Sequence, residues 1–393
     1  NVIFVMVDDM GYGDVGVYGQ KQIRMPNVDS MARQGVRYTN VYSGSPVCAP
    51  ARSVLMTGRH TGRTTVRGNA SSVRGPNGVK CSGGGGGFRV PLNDEDVTVA
   101  EVLRQAGYTT GVTGKWGLGE PNTAGLPNRQ GFDEWLGLLN QRRAHSYYPK
   151  YIWHNEQRRP LPGNSGTTTN FETEKHYVHD LFTDFALDFV RRHAAGEKPF
   201  FLYLPYTVPH DRFQIPELEP YAEQADWPRQ AQVYASMLTR VDRDMGRLLD
   251  LLRELKIDER TLVFFCSDNG AANRYDGLFD SSGLLRGRKR DLYEGGIRVV
   301  MIARWPGTIG ADTVNDDPWY FADVLPTLAE LAGADPPEKL DGVSVAASLL
   351  GRPQPELQTR GMYWEFHERG FGQAARRGNW KGVRNKHDGP IEL

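Results

Sequence analysis

The chain is poor in cysteine: Cys48, Cys81 and Cys266 are the only three among 393 residues. Three thiols cannot staple a chain of this size, so buried apolar surface has to hold the fold. Long apolar runs are missing as well. None approaches the ~20 residues that cross a bilayer, which excludes a spanning helix. Charge of one sign is missing too, since Lys and Arg together number 47 and so do Asp and Glu. A balanced chain has no overall field to gather nucleic acid or an anionic surface, so any anion site must be local. No His and Cys spacing fits a zinc site, and no segment repeats. The charged and apolar stretches of a secretory leader are absent. Yet residues 2–7 already read as a buried strand, so we expect that a leader upstream has been removed or left out and that the protein is periplasmic or secreted.

What is present is an alternation of short apolar runs with helical patterns. Strands are expected at residues 2–7, 110–113, 200–206, 262–266 and 299–303. Helices are expected at 28–34, 99–106, 231–255 and 321–332, and the third carries Met237, Leu238, Val241, Met245, Leu248, Leu249 and Leu252 on one face. This pattern predicts an α/β fold: a large, mostly parallel central sheet flanked by helices. Residues 1–353 are read as the catalytic domain. Residues 354–393, with strands at 361–366 and 380–384, are read as the start of a small, truncated C-terminal α+β subdomain, too short for a core of its own. Cys266 reads as a small buried hydrophobe. Cys81 sits beside five consecutive glycines and has no assigned role.

Ligands in open α/β sheets gather at the carboxyl ends of strands. Four polar motifs fall there: Asp8-Asp9, Lys115, His210 and Asp268-Asn269. Three carboxylates and an amide oxygen form a hard, all-oxygen donor set, which suits Ca²⁺ or Mg²⁺ rather than zinc. Carboxylates brought together at two strand ends repel one another unless a cation joins them.

The segment Cys48-Ala49-Pro50-Ala51-Arg52 runs into Leu55-Met56-Thr57-Gly58-Arg59. It resembles the signature of type I sulfatases, Cys-x-Pro-x-Arg followed by Leu-x-Thr-Gly-Arg. The resemblance covers residue 1 to about residue 384 and places the chain in the alkaline phosphatase superfamily. It implies that a maturation enzyme oxidises Cys48 to formylglycine, whose hydrate attacks sulfur with one hydroxyl and expels sulfate with the other. A serine there would form an ester with no internal route for release. It also implies Ca²⁺ held by Asp8, Asp9, Asp268, Asn269 and residue 48. Asp268 would take the proton of the attacking hydroxyl, and Arg52 would hold the diol. Lys115 and Lys289 would bind sulfate, and His210 would bind sulfate or protonate the leaving oxygen. These roles suit a sulfuryl group whose charge must be neutralised while an alkoxide departs.

One position departs from the family. Many sulfatases continue Gly-Lys-Trp with a histidine, where this chain has Gly117. His145 is the expected substitute, sharing the leaving-group work, with Arg143 and Tyr147 as further substrate contacts. Tyr147, Tyr148, Tyr151 and Trp153 offer rings of the kind that stack on sugars. The expected substrate is therefore a sulfated saccharide, a polysaccharide or glycosaminoglycan unit of galactose type. The alternatives are a phosphate or phosphonate ester hydrolase of the same superfamily and a catalytically silent binder of sulfated glycans.

Overall fold

The computed structural model describes the chain except residues 70–88, 142, 167–173 and 369, and of Arg143 it describes only the backbone. Cys81 lies outside the described residues. Eleven strands form one sheet: β1 Val2–Val7, β2 Val36–Tyr42, β3 Thr109–Lys115, β4 Glu134–Leu138, β5 Tyr151–His154, β6 Gln157–Pro160, β7 Phe200–Pro205, β8 Leu262–Ser267, β9 Arg298–Arg304, β10 Thr313–Asn315 and β11 Trp319–Tyr320. Their order is β10-β2-β9-β8-β1-β7-β3-β4-β5-β6, with β11 paired to β2. The centre, β8-β1-β7-β3-β4, is parallel. Strand β9 runs antiparallel to both β2 and β8, and β5 and β6 are antiparallel at the other margin, so the whole sheet is mixed.

Strands β1, β7 and β8 are almost wholly apolar because both faces are covered. Strand β1 shows how. Val2, Phe4 and Met6 enter one core, and Ile3, Val5 and Val7 enter the other. The first core lies under helices α2 (Cys48–Thr57), α3 (Val99–Gln105) and α7 (Val324–Ala332). The second lies under α1 (Pro26–Arg33), α4 (Val178–Ala194) and α5 (Arg229–Glu254). All seven apolar residues expected on one face of α5 are buried there. Cys266 is fully buried in β8, on the α2 side. Among the described residues no helix is long and apolar enough to cross a membrane.

A second sheet of three antiparallel strands follows: β12 (Gly361–Phe366), β13 (Gly372–Arg377) and β14 (Trp380–Arg384). Its anchor is Trp364, fully buried, whose indole Nε1 donates to the Ser43 carbonyl at 2.8 Å. The Ser43 hydroxyl donates in turn to the Asp268 carbonyl at 2.5 Å, so this sheet is fastened to the carboxyl end of β8. Trp364→Ala should cost about 3–5 kcal/mol of stability by emptying that socket. Urea unfolding measures it, and an unchanged midpoint would show that the small sheet is fastened elsewhere.

Candidate active site

Strands β8, β1, β7 and β3 are parallel neighbours, so the residues that follow them emerge at one sheet edge. Val7 lies opposite Ser267, and the next residues, Asp8 and Asp268, leave the two strands side by side. The chain then turns sharply. Asp9 is left-handed, with φ of 68°, a conformation that aspartate tolerates better than most side chains. Its N–H donates to Asp268 Oδ1 at 3.1 Å.

The Cys48–Thr57 segment folds as a helix with every residue buried. Pro50 sits in its first turn, where the missing N–H costs nothing. Gly58, at φ of 66°, ends it by donating to the Val54 carbonyl. Cys48 therefore opens the helix at its positive end. Arg52, one turn on, lies on the same face. The Cys48 thiol is 3.2 Å from Asp8 Oδ1 and 3.6 Å from Lys289 Nζ. Arg52 donates from Nη2 to Asp268 Oδ2 at 3.0 Å and from Nη1 to the Lys115 carbonyl at 2.5 Å.

Charge here is dense and buried. Lys115 Nζ lies 2.5 Å from Asp8 Oδ2, and Lys289 Nζ lies 2.5 Å from Asp9 Oδ2. Burial alone would raise the Asp8 carboxyl, but Lys115, His210, Arg52 and Lys289 together hold it well below the usual carboxylate range. Asp268 goes the other way. Burial, and then the like charge of Asp8, push it up to about 6 despite Arg52. Burial, then Asp268 and Asp8, also push the Cys48 thiol well above its ordinary value. Oxygen or sulfur atoms of Asp8, Asp9 and Cys48 and a ring nitrogen of His210 lie within 4.8 Å of one another. Asn269 Oδ1 is buried with no hydrogen-bond partner among the described residues. Converging carboxylates and an orphaned amide oxygen fit a hard cation.

A cavity of about 550 Å³ opens beside this cluster, lined by Asp9, Gln141, His145, His210, Lys289 and Glu368 among others. His210 Nδ1 lies 2.6 Å from Asp211 Oδ1, and its Nε2 lies 3.2 Å from Lys289 Nζ. The contact with Asp211 fixes the ring, with Nδ1 toward the carboxylate and Nε2 toward the lysine.

The structure thus brings Asp8, Asp9, Cys48, Arg52, Lys115, His210, Asp268, Asn269 and Lys289 together. His145 is on the cavity wall, its ring centroid 4.2 Å from that of His210. Burial, His210 and Lys115 push it down to about 3. At neutral pH its ring is uncharged, which suits a hydrogen bond better than the proton donation expected of it. Nor does it fill the space at Gly117, where the nearest side chain is Gln141.

Tyr147 is fully buried, and its hydroxyl donates to the carbonyls of Thr207 and His210 at 2.8 and 2.9 Å. It props the His210 loop from beneath and presents no ring to the cavity. Tyr148 is buried as well, and Tyr151 and Trp153 lie on β5, under the Arg158 guanidinium. None of the four rings lines the cavity. The Arg143 side chain lies outside the described residues. Sequence reasoning missed Asp211, Gln141 and Glu368. Asp211 had a signal, as a carboxylate directly after His210.

The strand order and the polar edge define an alkaline phosphatase-like fold with an anion-handling, metal-competent site. A sequence model of the sulfatase family matches residues 1–334, and one of the N-sulphoglucosamine sulphohydrolase C-terminal region matches 286–387. The chain belongs to the sulfatase family. It is 32% identical to N-acetylgalactosamine-6-sulfatase of Canis lupus familiaris over 368 residues, 89% of this chain and 66% of that protein. It is 33% identical to arylsulfatase A of Homo sapiens over 397 residues, 97% of this chain and 74% of that one. Among solved structures, Ps i-CgsB in complex with k-i-k-neocarrahexaose superposes with a TM-score of 0.82 at 28% identity, covering all (100%) of this chain and 85% of that one. The chain thus spans just under two thirds of the N-acetylgalactosamine-6-sulfatase it matches.

Arg52 is the cation shared by Asp8 and Asp268, with no exposed side-chain surface. Arg52→Met leaves two buried carboxylates short of a partner and should lower stability by about 3–5 kcal/mol. Urea unfolding in a chelating buffer reads this loss. A variant as stable as wild type would show that the lysines alone balance the cluster.

Proposed function

We propose that the chain hydrolyses sulfate esters of a saccharide, of galactose type, using Ca²⁺ and a formylglycine made from Cys48 by a maturation enzyme. The observation that carries the reading is the position of residue 48. It opens a buried helix between Asp8 and Lys289. The donors for the ion would be Asp8, Asp9, Asp268, Asn269 and residue 48. When present, the ion would add positive charge beside the sulfate, and formylglycine at residue 48 would provide the nucleophilic hydroxyl.

The chain's own side chains do the rest. Lys115 and Lys289 add cationic charge where the sulfuryl group spreads its negative charge. Arg52 holds Asp268 in place, and Asp268 accepts the proton of the attacking hydroxyl. His210 faces the cavity with its ring fixed by Asp211, and protonates the departing sugar oxygen. His145, uncharged beside it, contributes a hydrogen bond to the same side. The relative named for N-acetylgalactosamine 6-sulfate and the structural neighbour bound to a neocarrahexaose support a galactose-type substrate.

Protein made together with a maturation enzyme should release sulfate from one or more members of a panel of defined sulfated saccharides. Peptide mass spectrometry should find the aldehyde at residue 48; active protein carrying only thiol there would overturn the nucleophile. Chelation should lower turnover by more than about 100-fold, and added Ca²⁺ should restore it. Full turnover in metal-free protein would overturn the ion.

A further inference from the structure

The position that departs from the family pattern, Gly117, is not empty. The three atoms nearest to a methyl placed there all belong to Gln141, with Oε1 at 2.6, Cδ at 3.7 and Cβ at 4.0 Å. The two segments are stitched together by the backbone, since the Gly117 N–H donates to the Leu139 carbonyl at 3.1 Å. Gly117 has φ of 77°, which keeps larger residues out of that turn. Glycine at 117 is thus what lets the longer side chain of Gln141 reach the cavity wall.

Gln141 is only 2% exposed, yet it lines the cavity alongside His145, His210 and Lys289. Both its Nε2 and its Oε1 are buried with no hydrogen-bond partner among the described residues. A fully orphaned carboxamide at an active-site wall is costly to keep, and a ligand that satisfies it recovers that cost. The amide offers two donors on nitrogen and an acceptor on oxygen. A sulfate group only accepts, so it would serve the nitrogen and leave the oxygen orphaned. A hydroxyl donates and accepts, and it satisfies both. The argument is the same whichever way round the amide is placed.

We propose that Gln141 reads a free hydroxyl of the sugar ring that carries the sulfate, and so is a specificity-determining residue of this chain. The proposal rests on the sulfatase reading above. It assigns to Gln141 a contact in the space that a histidine would take, with a different consequence: a carboxamide cannot give up a proton, so it selects the sugar and leaves protonation to His210.

The test is a cycle of two enzymes and matched substrates. Wild type and Gln141→Leu, which keeps bulk but removes both polar atoms, are assayed on a methyl galactoside bearing sulfate on O6 and on its monodeoxy analogues. In wild type, deletion of one particular hydroxyl should lower kcat/KM by roughly 10- to 100-fold. In Gln141→Leu the same deletion should matter less than about threefold. Thermal melting checks that the variant is folded, and Gln141→Met replaces it if not. Turnover of para-nitrophenyl sulfate by wild type tests the sulfatase reading by itself. Where turnover is absent, calorimetric binding of the same sugars to Cys48→Ser and to its Gln141→Leu double variant gives the same comparison. Equal deoxy penalties with and without Gln141, no penalty at any position in wild type, or no binding of any sugar would overturn the proposal.

Discussion

Everything at the sheet edge follows from one constraint: three buried carboxylates emerge side by side from two adjacent parallel strands. Their mutual repulsion is large at low dielectric, and the chain answers it with buried cations. Arg52 takes Asp268 and Asp8, Lys115 takes Asp8, and Lys289 takes Asp9. Each cation comes from a different element, so the cluster fixes α2, the end of β3 and the segment before α6 (Glu294–Ile297) against β1 and β8. The compensation is uneven. Asp8, with several cations around it, is held strongly ionised, while Asp268 is pushed up to about 6. Two neighbouring carboxylates set apart in this way can take different roles, one holding charge and one exchanging a proton.

Much of this was legible in the sequence because the groups involved are forced by backbone geometry. A polar pair directly after an apolar strand can only appear at a strand end, and Asp8-Asp9 and Asp268-Asn269 do. The helix at Cys48 was not among the expected helices, although its residues suit one: a proline in the first turn, a glycine at the stop, and an arginine one turn after the cysteine. The parallel centre of the sheet followed from short apolar runs, such as residues 2–7, 200–206 and 262–266, alternating with helical patterns. Strand β13 was not legible, because Gln373-Ala374-Ala375-Arg376-Arg377 carries no apolar run and pairs through its backbone between β12 and β14. The antiparallel margins were equally hidden, since strand direction is set by the path of the connections.

The errors cluster where a side chain's direction, not its type, decides its use. Tyr147 has the chemistry of a sugar-stacking ring, but its hydroxyl is claimed by two carbonyls of the His210 loop. His145 has the chemistry of a proton donor, but burial first, and then His210 and Lys115, lower its pKa. Gln141 drew no notice because a lone glutamine in a loop is ordinarily a solvated surface residue. Only the geometry shows that Gly117 and Gln141 form a matched pair, the smallest residue making room for a long one.

The small C-terminal sheet belongs in the same account, because it reaches the cavity by two routes. Through Trp364 and Ser43 it supports the backbone of Asp268. Through Glu368, in the turn between β12 and β13, it binds Arg290 and the Asn69 N–H. Asn69 then accepts the Ala49 N–H with its side-chain oxygen, satisfying one of the free donors at the start of α2. A loop more than 300 residues from Cys48 in sequence thereby steadies the helix turn that presents it. Residues 286–387, matched by a separate sulphohydrolase C-terminal model, carry Lys289 at one end of this network and Glu368 near the other. The network explains why the small sheet has to be held firmly: a shift in its anchor would be felt at the first turn of α2, where the thiol of Cys48 is set between a carboxylate and a lysine.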